Sequence, residues 1–96
     1  MTDIHDLPVS RWGHMSAEGT VVEVRVVCAH HFGLGVQLTT NGAYGHIDVP
    51  RVSDGRVTTE DLIDHIGQIR RALVLMVDPG RQPKLTIRRS DVPETS

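Results

Sequence analysis

The run Thr20-Val-Val-Glu-Val-Arg-Val-Val-Cys28 sets the reading of the whole chain. Val22, Val24 and Val26 fall on one side of an extended backbone, with Glu23 and Arg25 on the other. β-Branched residues pack well on a pleated surface, and alternation at period two marks a half-buried strand. The stretch is therefore expected as the first strand of a sheet. His30 and His31 follow at a turn. Phe32-Gly-Leu-Gly-Val-Gln-Leu38 reads as a second strand, whose two glycines leave room for a backbone or a ligand to approach closely. Thr39-Thr-Asn-Gly42 is a turn signal, since Asn-Gly tolerates positive φ. Tyr44-Gly-His-Ile-Asp-Val49 makes a short third strand, stopped by Pro50.

Beyond Pro50 the period changes. Ser53-Asp-Gly55 opens a loop, and Thr58 or Thr59 can cap a short helix ending near Asp64. Glu60 and Asp61 lie in its first turn, where the helix dipole favours acids. Leu62, Ile63 and Ile66 give it an apolar side, and Gly67 ends it. Arg70 to Val77 is expected as a fourth strand and Asp78-Pro-Gly80 as a tight turn. Lys84-Leu-Thr-Ile-Arg88 is expected as a fifth strand with Leu85 and Ile87 inward. The chain thus divides into an N-terminal arm (1–16), one domain (17–90) and a flexible polar tail (91–96). Trp12 is expected to anchor the arm by burying its ring.

A length of 96 residues allows one domain with a core large enough to fold without staples. Apolar residues at 39% and charged residues at 23% exclude a disordered chain and a membrane protein. The N-terminus, Met-Thr-Asp-Ile-His-Asp-Leu-Pro, is acidic and has no apolar core, so a secretion signal is not expected. The one cysteine, Cys28, excludes an internal disulfide and a multi-cysteine zinc site. The simplest address is the cytoplasm. A net charge of −2 argues against coating nucleic acid by bulk electrostatics, but the charge is unevenly spread. Residues 1–64 carry nine acids against four arginines, whereas residues 65–90 carry six bases (Arg70, Arg71, Arg81, Lys84, Arg88, Arg89) against Asp78 alone. That asymmetry is compatible with a basic face on an acidic body, and equally with bases filling the solvent side of two strands.

Three strands, a short helix and two more strands within about 70 residues suggest a small closed all-β barrel. The five-stranded Greek-key OB fold places its helix between strands 3 and 4, which is the order read here. The spacing resembles one family in particular, the S1-type OB-fold RNA-binding domains named after the ribosomal protein. The matching pieces are Glu18-Gly-Thr-Val-Val-Glu-Val, Phe32-Gly-Leu-Gly-Val-Gln-Leu, Gly45-His-Ile-Asp, Gly67-Gln, Ala72-Leu-Val-Leu-Met-Val-Asp and Lys84-Leu-Thr-Ile-Arg. Together they span residues 17–90.

The resemblance implies single-stranded RNA bound on one barrel face by two aromatics of the second strand, a histidine of the third, and an acid and a base around the last hairpin. Phe32 matches the first aromatic, His46 the histidine and Asp78 the acid. The second aromatic falls on Gly35 and the base on Gln82, with Arg81 adjacent and Lys84 close by. Tyr44, two residues from His46 on one strand, shares its side and can add to a platform with Phe32. The nucleic-acid-binding residues expected are therefore Phe32, Tyr44, His46, Asp78, Arg81 and Lys84. Arg70 stands where the family is usually apolar, so the register slips by one or the strand is exposed at an edge.

Other chemistries fare worse. His30-His31 with His46 invites a metal reading, but adjacent residues rarely converge on one ion and no HxH or HExxH spacing occurs. Paired histidines at a loop are ordinarily solvent-exposed. Cys28 and His30 share a face of a continuous strand without a third orienting group, and Cys28 reads as a buried inert thiol. Gly33 and Gly35 lie within a strand, so they do not form a phosphate loop. No enzymatic activity, metal or cofactor is expected. Two readings remain: a stand-alone module binding single-stranded RNA weakly and with little sequence preference, or a barrel reused for protein interaction or oligomerisation. Phe32, His46 and Asp78 favour the first, while Gly35 and the acidic first half favour the second.

Overall fold

Residues 12–78 and 80–93 are described by the structure, a computed structural model. In chain order these residues form β1 (Val21–His30), β2 (Gly33–Leu38), β3 (Tyr44–Asp48), α1 (Thr59–Asp64), β4 (Ile69–Met76) and β5 (Lys84–Thr86). The strands close into a barrel in the order β1-β2-β3-β5-β4, with α1 between β3 and β4, as the sequence predicts. Pairing is antiparallel throughout except for β3 with β5, which meet in parallel through His46 and Lys84. Val24, Leu34, Val36, Ile47, Val74 and Leu85 fill the interior, each essentially without solvent contact. Among the described residues no helix is long and apolar enough to cross a membrane.

One irregularity in β1 decides what faces outward. Val24 pairs with Leu38 and Val26 with Val36, but Cys28 pairs with Gly35, so Val27 is the extra residue of a β-bulge. Without the bulge, period two would turn Cys28 and His30 inward with Val26. With it, Ala29 opposes the buried Leu34, and Cys28 and His30 stand outside beside Gly35 and Gly33. Two expectations change as a result. Cys28 is half-buried on the outer face rather than sealed in the core, and His30 belongs to the strand rather than to a turn.

Gly33 is a position only glycine suits. Its φ is +148°, and an added Cβ would run into the Ile47 carbonyl oxygen and lie 2.9 Å from His46 Cε1. The missing side chain lets the His46 ring lie over β2. Replacing Gly33 with alanine is expected to destabilise the barrel by at least about 2 kcal/mol, from backbone strain and overpacking together. Chemical denaturation measures this. A variant as stable as the parent would mean that β2 does not carry His46 in this way.

The helix begins as read: Thr58 caps it, its hydroxyl accepting from the Asp61 N–H at 3.2 Å while the Asp61 carboxylate accepts from the Thr58 N–H at 2.9 Å. Its apolar side is narrower than expected. Leu62 is buried, but Ile63 is 54% and Ile66 48% exposed, because six helical residues turn only one position onto the barrel. β5 ends at Thr86 rather than Arg88, where the Ile87 N–H leaves the sheet to donate to the Arg51 carbonyl. Arg70 has the inward parity of Ala72 and Val74 and pairs with Val24 of β1, but β5 reaches along β4 only as far as Leu73, so the other side of the strand is unpaired at Arg70. The position lies at the barrel end, so the guanidinium reaches out to the Gln68 side chain at 3.2 Å.

Both chain ends are tied to the barrel within the described residues. Tyr44 donates its N–H to the Trp12 carbonyl at 2.7 Å, and the Asn41 side chain donates to the His14 carbonyl at 2.9 Å. The buried anchor of the arm is Met15, 6% exposed, rather than Trp12, which is half-buried. Asp91 binds Arg51, Thr86 and Arg88, and Arg71 donates to the Pro93 carbonyl, so residues 91–93 of the expected tail are hydrogen-bonded to the barrel. The rest of the expected arm (1–11), the end of the tail (94–96) and Pro79 of the hairpin lie outside the described residues.

Candidate functional site

The outer face of β1, β2 and β3 carries an aromatic cluster centred on Phe32. That residue is in the turn leaving β1 rather than in β2, and its ring is 42% exposed. His30 stacks on it with centroids 4.9 Å apart and planes 2° from parallel. His31 meets it edge-on at 5.2 Å, and His46 lies at 5.7 Å, tilted by 31°. Glycine at 33 makes the cluster sterically open, and the bulge at Val27 brings His30 to it. The paired histidines are therefore part of a packed ring cluster rather than isolated polar residues of a loop.

β3 supplies the polar part of the site. Its alternation buries Gly45 and Ile47 and turns Tyr44, His46 and Asp48 outward. His46 Nε2 and Asp48 Oδ1 are 2.9 Å apart. A carboxylate only accepts, so the shared proton sits on Nε2. The other Asp48 oxygen lies 3.3 Å from the Lys84 ammonium, which β5 places opposite His46. Asp48 thus fixes the imidazole and offsets the charge of Lys84. The His46 side chain, 12% exposed, backs the cleft rather than offering a broad face of its own.

Phe32, His46, Asp48, Arg81, Gln82 and Lys84 enclose a cleft of about 320 Å³. Four of the six sequence-predicted residues, Phe32, His46, Arg81 and Lys84, therefore come together. Asp78 lines a neighbouring cleft of about 170 Å³ with Trp12, His14 and Met15, and Arg81 borders both. Tyr44 shares the outward side of β3 but lines neither cleft. Asp48, His30 and His31 were missed. For Asp48, period two from His46 was an available signal. For His30 the bulge hid the face. Of the six bases between residues 65 and 90, Arg88 is bound to Asp91 and the other five divide between two places. Arg81 and Lys84 border the Phe32 cleft, while Arg70, Arg71 and Arg89 border another of about 360 Å³ beside Ile69 and Val92. Among the described residues no three His, Cys, Asp or Glu side chains are placed to hold a metal ion.

Similar solved structures share this architecture. A chain of the a/eIF2alpha–aDim2p–rRNA complex from Pyrococcus horikoshii OT3 is 27% identical, with a TM-score of 0.66 over 79% of this chain and 46% of that one. GSP13 from Bacillus subtilis is 25% identical, with a TM-score of 0.64 over 83% of this chain and 62% of that one. A multidomain protein with nucleic acid binding domains from Streptococcus pneumoniae TIGR4 is 18% identical, with a TM-score of 0.61 over 80% of this chain and 25% of that one, a likeness of fold alone. This chain spans less than two thirds of the length of each. No family model and no curated protein matches it. The barrel is an S1-like OB fold.

Proposed function

We propose that this barrel binds single-stranded RNA on the face around Phe32, weakly and with little sequence preference. The observation that carries the reading is a half-exposed phenyl ring held by His30 and His46 at a cleft bordered by Arg81 and Lys84. Such an arrangement stacks a base on the ring and meets its phosphates with the two cations, a mode indifferent to base identity because every base has a π-face. The Pyrococcus neighbour, solved as part of a complex with rRNA, supports the same reading. Asp48 keeps the affinity low by holding Lys84 and repelling phosphate.

Fluorescence anisotropy of short labelled single-stranded RNA tests it. Binding in the micromolar range is expected at about 50 mM salt. Two phosphate contacts, from Arg81 and Lys84, give a log–log salt slope near −1.4, hence roughly sevenfold weaker binding at about 200 mM. Absence of binding at several hundred micromolar protein would overturn the proposal. It would favour the second reading, a protein-interaction module, for which the specific observation is the exposure of Ile63, Ile66 and Ile69 at 54%, 48% and 51%.

A further inference from the structure

We propose that Trp12 provides a second base-stacking position, so that one dinucleotide step of a single strand spans two adjoining clefts with its phosphate at Arg81. The inference rests on the nucleic-acid reading above and deepens it. The two clefts share Arg81: on one side stand Phe32 and His46, on the other Trp12, His14 and Asp78. A cation between two aromatic-lined clefts is where the phosphate linking two stacked bases would fall. Asp78 offers a carboxylate acceptor to a ring N–H or amino group of a base on the Trp12 side.

The arm is held beside this cleft by backbone and side-chain contacts. Its backbone is fixed by Tyr44 at Trp12 and by Asn41 at His14, and Met15 packs against β3 at Gly45, where an added Cβ would lie 3.2 Å from Met15 Cε. Trp12 is half-buried and is one of the residues that line the cleft. Gly35 leaves the middle of β2 without an aromatic, and β2 alone cannot stack two consecutive bases.

Trp12 is the only tryptophan in the chain, so its emission reports on this cleft alone. The full chain is titrated with an oligouridylate of about eight residues, within the span one OB barrel covers, reading RNA anisotropy and tryptophan emission in parallel. Strong quenching that follows the anisotropy isotherm is expected. Trp12→Phe is expected to bind nearly as well as the parent, and Trp12→Leu about tenfold more weakly. Saturating anisotropy, with emission and acrylamide access both unchanged from the free protein, would overturn the Trp12 position and leave the Phe32 face standing. No anisotropy change would overturn the nucleic-acid reading and this inference with it. Should Trp12→Leu fail to fold, the emission of the parent protein still decides.

Discussion

Replacing Phe32 and His46 together with alanine is expected to weaken RNA binding by about 10- to 100-fold while leaving the melting temperature nearly unchanged. The ratio follows from the stacking energy of one base on an aromatic ring, roughly 1–3 kcal/mol, at about 1.4 kcal/mol per decade. Both side chains stand outside the barrel wall, so their removal opens no cavity in the core formed by Leu34, Val36 and Ile47. Loss of His46 also frees one Asp48 oxygen to act on Lys84, which lowers the local positive potential further. Anisotropy titrations beside thermal melts read both quantities. Unchanged affinity in a variant that melts like the parent would exclude this face as the binding surface.

Asp91→Ala should be the most damaging single substitution outside the core, lowering stability by about 2–3 kcal/mol, or roughly 10–20 °C in Tm for a domain of this size. One carboxylate accepts from Arg88 Nε and Nη2 at 2.9 Å each, from Arg51 Nη1 at 3.0 Å and from the Thr86 hydroxyl at 2.7 Å. It thereby joins β5, the turn after β3 and the segment that follows β5. Its removal takes an acceptor from two guanidinium groups and leaves the buried Thr86 hydroxyl only the Arg51 carbonyl, at 3.1 Å. Arg88 chiefly, then Thr86 and Arg51, hold the Asp91 carboxyl well below its ordinary value of 3.8, against the opposing effect of burial. Its folded pKa is depressed, so the unfolded chain takes up this proton first. The contribution is complete above about pH 5 and drains away as pH falls through the ordinary carboxylate range and below. Denaturation midpoints measured between pH 7 and 3, at constant salt, should fall for the parent more steeply than for Asp91→Asn. Parallel curves would show that this carboxylate is not linked to folding.

The barrel was legible because its signals are local. Alternating valines, Asn-Gly at a turn, a capping threonine followed by acids, and Asp-Pro-Gly each act through the backbone of a few residues. What sequence reading missed depends on non-local fit. A bulge adds one residue, and nothing in Val26-Val27-Cys28 distinguishes a bulged valine from a paired one, yet it moves His30 from inside to outside. Ile63 and Ile66 have helical spacing, but the helix is too short to bury more than Leu62. Asp91 looks like the start of a polar tail until Arg51, forty residues earlier, is brought beside it. Within the site, Phe32 and His46 were found through their motifs, and Asp48, which orients His46, follows from period two along β3.

The parallel contact of β3 with β5 has a mechanical meaning. Most of the barrel is stitched by ladders of several residue pairs, but β3 and β5 share the one pair His46 with Lys84, beside the His46 N–H donated to the Pro83 carbonyl at 2.8 Å and the Lys84–Asp48 ion pair. It is the shortest ladder of the cylinder. Phe32 and His46 stand on one side of it, and Arg81 and Lys84 on the other. A strand lying in the cleft, as proposed, would therefore be a suture across this short ladder, and by linkage its occupancy and the sealing of the cylinder would rise together.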